Sequence, residues 1–336
     1  MSTQRPNRHP VATTVLSVIV IVLIAAITLL AINRQRVLDS ISAFNFTPTA
    51  AIETINQKLS LTKEGKLYFY TTHPEVAPAA SFNKDCPQQE PGSPILGCYT
   101  SGRIYIFDVT DERLDGIEEV TAAHEMLHAA WDRLDQSKKA ELSGLLNAQY
   151  KASADRAFKE RMAYYERNEP GELDNELHSI LATEVKDLSP ALEQYYAQYF
   201  TDRQIVVSLH EKYSSVFDEL SSRAEQLYSQ LTALSKSIDE QSSQYNQASQ
   251  SLTNDINAFN AKANNDGFSS MSQFNRERAS LVTRSNQVDA MRASINQGIE
   301  QYNTLYNEYQ QVASQIEALN GSIDSIKQLD EAPKVE

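Results

Sequence analysis

The residues with the most chemistry in this 336-residue chain stand together. His124, Glu125, Met126, Leu127 and His128 form an HExxH pattern within VTAAHEMLHAAWDRL. On a helix, positions i and i+4 lie one above the other on one face. His124 and His128 then offer two imidazole nitrogens to one Zn²⁺. Glu125 stands beside them as a carboxylate able to take a proton from water. That is the equipment of metal-assisted hydrolysis. The pentapeptide alone also fits a surface helix with two histidines, so its surroundings have to decide.

A hydrolytic zinc ion takes about three protein ligands. No third histidine follows close behind His128, so a downstream carboxylate is needed. The helix expected over Leu173–Leu188 (LDNELHSILATEVKDL) supplies two. At about 100° per residue, Leu173, Leu177, Ile180, Leu181 and Leu188 form one apolar face. Glu184 falls near its middle and Glu176 on its edge. An ionised carboxylate on a buried face is costly unless paired or metal-bound. This makes Glu184 the first candidate for third ligand and Glu176 the second. Glu176 can instead support the site by accepting a hydrogen bond from a ligand imidazole. The competing reading of Glu184 is a buried salt bridge, to Arg156 or Arg161. His178, on the flank, is a third histidine ligand, an oxyanion donor, or simply a satisfied side chain. Tyr164 and Tyr165 are oxyanion donors in principle and packing residues by default. Trp131 reads as core behind the metal helix, and His73 and His210 receive no role.

The elements that must position these residues follow from pattern. Arg103–Val109 (RIYIFDV), rich in β-branched and aromatic residues, reads as the best strand, and Lys66–Thr71 (KLYFYT) as a second, shorter one. Asp115 with Glu118 three positions later has the form of a helix start, from which the HExxH helix runs to about Leu134. Val37–Thr62 reads as a stalk or first helix. His73–Ser101, rich in Pro, Gly and Ser, reads as an ordered loop closed by a Cys86–Cys98 disulfide, the alternative being two unrelated thiols. Gln136–Arg167 reads as two helices ended at Asn168–Gly171, and Ala191–Asp202 as a further helix with an aromatic face.

The ends of the chain differ from its middle. Met1–Pro10 is a polar tail, read as cytoplasmic. Val11–Ile32 is 22 residues without a charge, enough to span a bilayer core of about 30 Å as a helix. It is longer than the apolar part of a cleaved signal peptide. Arg5 and Arg8 balance Arg34 and Arg36, so the flanking charges leave orientation tied. A disulfide would place everything after Arg36 outside the cytoplasm. From residue 203 to about 330, apolar residues recur at steps of three, four or seven in two series: Tyr213 to Phe259, and Leu281 to Ile326. Asn264–Gly267 lies between them as a turn. This is the pattern of an antiparallel coiled-coil hairpin, with residues 331–336 as a frayed tail. The net charge is −14, with no basic face, which excludes nucleic acid as a partner class.

HEMLH followed by a glutamate-bearing helix resembles the zincin metallopeptidases, in particular the gluzincins with two His and one Glu. The resemblance covers Arg103–Leu188. It implies an α+β zincin-like catalytic domain over residues 33–202, mainly α with a small β-sheet. It implies zinc on His124 and His128, Glu125 as general base, and a helical Glu completing the site. It also implies that a strand such as Arg103–Val109 lies along the cleft and pairs with an extended peptide. Many gluzincins carry an acidic residue four positions after the ligand Glu. Position 180 is Ile and position 188 is Leu, whereas Glu172 and Glu176 do have that spacing. The expected function is a membrane-anchored, extracytoplasmic zinc metallopeptidase. The alternative is a non-catalytic envelope scaffold that docks a partner protein, or self-associates, through the hairpin.

Overall fold

The structure, a computed structural model, describes residues 15, 16, 18–24, 28, 31, 33–86, 94–168 and 170–326. Both terminal tails and much of the apolar run Val11–Ile32 lie outside the described residues. Among the described residues no helix is long and apolar enough to cross a membrane. The chain divides into two compact units. The larger takes the chain up to Ser214 and rejoins from Gly321; the smaller is Ser215–Asn320.

The larger unit is mainly helical around a small sheet, as expected. Helices α1 (Arg34–Asn45) and α2 (Ala50–Leu59) replace the single stalk expected over Val37–Thr62. Pro48 forces the preceding backbone to extend, and Thr49 then caps α2 by accepting from the Ile52 N–H. The expected strand Lys66–Thr71 is instead the end of helix α3 (Lys63–Thr71). A six-residue aromatic run cannot separate strand from buried helix. The deciding signal lay upstream, where the Thr62 side chain accepts from the Gly65 N–H as an N-cap.

The segment expected to be a loop carries three short elements: β1 (Glu75–Ala77), α4 (Ala79–Asp85) and β2 (Gly97–Thr100). Cys86 and Cys98 are joined, with Cα atoms 5.9 Å apart, so the disulfide ties the end of α4 to β2. Strand β3 (Arg103–Phe107) sits in the middle of a β1-β3-β2 sheet, parallel to β1 and antiparallel to β2. Ile104 and Ile106 enter the main core, while Tyr105 and Phe107 pack with Phe82 and Ala77 on the other face. Burial on both faces explains why β3 reads as an unbroken apolar run.

After β3 come α5 (Ile117–Asp132), α6 (Gln136–Ala152), α7 (Arg156–Asn168), α8 (Leu173–Glu184) and α9 (Pro190–Tyr196). The expected Asp115 cap on α5 is corrected. Gly116 takes that position at φ 107°, a backbone region that favours glycine. Asp115 instead pairs with Lys58 and Lys212. Helix α8 also stops short of the expected Leu188, because Val185 is extended.

Helix α10 (Arg203–Asn264) and helix α11 (Met271–Ile323) carry the two apolar series. Within Ser215–Asn320 they run antiparallel, with ion pairs Lys262–Glu277, Arg284–Asp255 and Arg223–Glu308 joining progressively more distant rungs. Leu227, Leu231, Leu252, Ile295, Val312 and Leu319 are its buried apolar residues. The turn falls where Asn264–Gly267 marks it, with Asp266 at φ 53°.

Candidate metal centre

Helix α5 packs chiefly on α8, and the site forms between them. One turn of α5 stacks His124 over His128, with ring centroids 4.7 Å apart. The Nε2 atoms of His124 and His128 lie 3.6 and 3.4 Å from the two carboxylate oxygens of Glu176. One ligand atom from each residue lies within 4.8 Å of the others, so His124, His128 and Glu176 form a group that could hold a metal ion. Burial raises the Glu176 pKa, but the neighbouring His124, His128 and Arg161 outweigh this. Its carboxyl is held below the usual range and is ionised, as a ligand must be.

The fit extends one layer outward. His128 Nδ1 lies 2.9 Å from Asn175 Oδ1, and the Asn175 amide donates in turn to Glu172 at 3.0 Å. A proton on Nδ1 leaves the Nε2 lone pair facing Glu176, which is how a metal-ligating imidazole is oriented. Arg203 fixes the far end of α8. Its guanidinium donates to the carbonyls of Ala182, Val185 and Lys186 at 2.7–3.1 Å. Ala182 lies in the last turn of α8, whose carbonyls lack intrahelical partners, and Val185 and Lys186 follow it where the backbone leaves the helix.

Glu184, the first candidate for third ligand, is not in this group. It pairs with Arg161 and lies 3.4 Å from His210 Nε2. The salt bridge to Arg161, weighed as its competing role, is what the structure contains. The physical reason is position along the helix. Glu184 is eight residues beyond Glu176, about 12 Å further along the axis and about 80° around it. Helical rotation placed Glu184 nearer the middle of the apolar face than Glu176, yet Glu176 is buried and Glu184 only partly buried. Helix α8 is buried by α5, α6 and α7 together, so burial did not identify which neighbour each residue meets.

His178 is neither ligand nor cleft donor. It is wholly buried against Trp131, Tyr195, Tyr196 and Tyr199, with Nε2 3.0 Å from the Tyr195 hydroxyl. Burial pushes its pKa down to about 3, so the ring is neutral. Trp131 is core beside it, as expected. Tyr164 and Tyr165 line the cleft.

The cleft has a volume of about 1060 Å³ and holds His124, Glu125, His128 and Glu176 on one wall. Its rim is β2, not β3. Strand β3 is paired on both edges and cannot accept a further strand, which corrects the expectation that Arg103–Val109 borders the cleft. Ser101 and Gly102, at φ 51° and 75°, make the tight hairpin turn that pairs Thr100 with Arg103. At the other end Phe107 N–H donates to Leu96 C=O at 2.8 Å. Antiparallel pairs alternate, so the N–H and C=O groups of Gly97 and Tyr99 point away from β3. Among the described residues no strand occupies that edge.

Gly97 also sets the distance between β2 and α5. A Cβ there would lie 2.5 Å from Thr121 Cγ2 and 2.9 Å from Glu125 Cγ. Asn175, Gly97 and β2 were not anticipated from sequence. For β2 a signal existed, the Ser-Gly pair between Tyr99-Thr100 and Arg103-Ile104. Asn175 had none beyond standing next to Glu176. The chain matches no family model, no curated protein and no solved structure.

Proposed function

We propose that this chain is a zinc-dependent peptidase, anchored by Val11–Ile32, with its cleft outside the cytoplasm. The observation that carries the reading is the convergence of two imidazole Nε2 atoms and one ionised carboxylate beside Glu125, in a cleft bordered by an edge of β2 that no strand occupies among the described residues. Two nitrogens and one oxygen are a donor set that suits zinc, with a coordination position left for reaction. Zinc supplies Lewis acidity there, toward both a carbonyl and a water. The zincin resemblance supports His124, Glu125 and His128 with a helical Glu, and the observed cluster supports Glu176 in that last role.

The chain's own residues do the remaining work. The outward N–H and C=O groups of Gly97 and Tyr99 bind an extended peptide by strand addition and hold its scissile bond over the site. Glu125, buried but lining the cleft, takes a proton from water and returns it to the leaving amine. His124, His128 and Glu176 hold the metal, and Asn175 holds the His128 tautomer. The Cys86–Cys98 disulfide supports an oxidising compartment, and the uncharged 22-residue run supports the anchor.

Metal analysis of the purified full chain, paired with a quenched-peptide assay, tests this. About one zinc per chain is expected. It should be retained in Glu125→Gln without turnover, lost in Glu176→Ala, and retained in Glu184→Ala. Turnover by Glu125→Gln would remove the mechanism. Iron in place of zinc, with no peptide cleavage, would redirect the same three ligands to oxidative chemistry.

A further inference from the structure

Helix α1 has two unlike faces. One is fixed to the protein. Asp39, 4% exposed, receives two hydrogen bonds from Arg133 at 2.9 and 2.8 Å, and Ser42 donates to the Thr71 carbonyl at 3.0 Å. The opposite face is apolar and open: Val37 is 36% exposed, Leu38 47%, Ile41 54% and Phe44 90%. At about 100° per residue, Val37, Ile41 and Phe44 fall within a stripe about 60° wide, and Asp39 lies about 170° from its centre. A phenylalanine left almost wholly in water, in line with two aliphatic neighbours, marks a contact surface.

The position of this stripe in the chain points to its occupant. The uncharged run Val11–Ile32 ends two residues before α1 begins. At 1.5 Å per residue Phe44 is about 15 Å along α1 from Arg34, which follows that run by two positions. A stripe parallel to the helix axis meets a flat surface along its whole length only if the helix lies on that surface. Arg34, at the start of α1, suits an anionic headgroup layer. A second copy fits less well. Even at about 200 Å² for a whole large side chain, these four partly exposed residues offer roughly half of the ~800 Å² per partner that a stable interface needs.

We propose that α1 lies in the bilayer surface, with Val37, Ile41 and Phe44 immersed at the boundary of headgroups and acyl chains. This rests on the membrane-anchor reading above. It adds a second attachment, and through Asp39–Arg133 that attachment continues into the end of the metal-bearing helix. The bound orientation of the cleft is then set by α1 rather than by a free tether.

The test uses the full chain in phosphatidylcholine/phosphatidylglycerol vesicles. Nitroxide labels are placed singly at Ile41→Cys, Phe44→Cys and, as a water-exposed reference, Lys138→Cys. All three positions are exposed, and both native cysteines are already bonded, so labelling leaves the core and the disulfide intact. The expected result is flotation with the vesicles and an oxygen-to-nickel accessibility ratio several-fold higher at 41 and 44 than at 138. Flotation with equal ratios at all three sites would overturn the inference and leave the anchor standing. Low accessibility to both reagents at 41 and 44, with dipolar broadening, would overturn it in favour of a second copy. Failure to float would remove the anchor and the inference together.

Discussion

Gly97→Ala puts the proposed chemistry at its most sensitive point. The added Cβ would meet Thr121 Cγ2 at 2.5 Å, Glu125 Cγ at 2.9 Å and Glu125 Oε1 at 3.0 Å. Ordinary contact requires about 3.5–4.0 Å, so the gap must open by about 1 Å. Overpacking of this kind costs about 1–3 kcal/mol of stability. The Thr121 methyl can rotate aside, but Glu125 can yield only by moving its carboxylate or by pushing β2 outward. Either motion misplaces the base relative to a peptide held on β2. A displacement near 1 Å is expected to lower kcat by about 10²-fold, or about 2.7 kcal/mol of barrier. The assay is kcat and KM on a quenched peptide, with zinc content and urea stability measured on the same preparations. The double variant Gly97→Ala/Thr121→Ala separates the two contacts. Removing the methyl should restore much of the stability while kcat stays low. Wild-type kcat in the single variant, or full recovery of kcat in the double, would refute the argument that Gly97 seats the strand against Glu125.

Other perturbations give distinct outcomes. Asn175→Ala removes the acceptor that orients His128, and zinc affinity measured by chelator competition should fall about 10–100-fold with the fold unchanged. Asp39→Ala leaves Arg133, with its side chain 12% exposed, as an unpaired buried cation. A loss of about 3–5 kcal/mol is expected in urea melts, much of it recovered in Asp39→Ala/Arg133→Met. Burial pushes the Glu118 pKa up from 4.5 to about 7, against the hydrogen bond it accepts from the Val109 N–H. The folded state therefore binds that proton more tightly than the unfolded state. Stability should fall as pH rises from about 4.5 to about 7. Glu118→Gln keeps an acceptor without the titration and should flatten that slope; parallel curves would contradict the assignment.

Much of the architecture is local and was therefore legible. Two histidines four apart must share a helix face, so the pairing of His124 with His128 needed only a helix. The hairpin likewise follows from a repeat sustained over many turns, with a turn between its two halves. Short segments carry the least pattern. A strand of four residues containing Gly97 and Cys98 has too little pattern to stand out from a loop. The aromatic run at the end of α3 has the composition of a strand, and the Thr62 cap that makes it helical lies upstream of the run.

The amino-acid sequence by itself determined the two imidazoles, the carboxylate beside them and the class of helix that carries all three, because those relations are fixed by backbone geometry over a single turn. Tertiary structure alone decided that Glu176 joins them and Glu184 does not. Both glutamates sit on one helix in buried surroundings. The choice depends on how far along α8 its crossing with α5 falls, a distance set by packing between elements about 50 residues apart in the chain. The same holds for the strand that borders the cleft. Which of β2 and β3 is the open edge is a property of the sheet's order, and that order is fixed by the partners each strand finds.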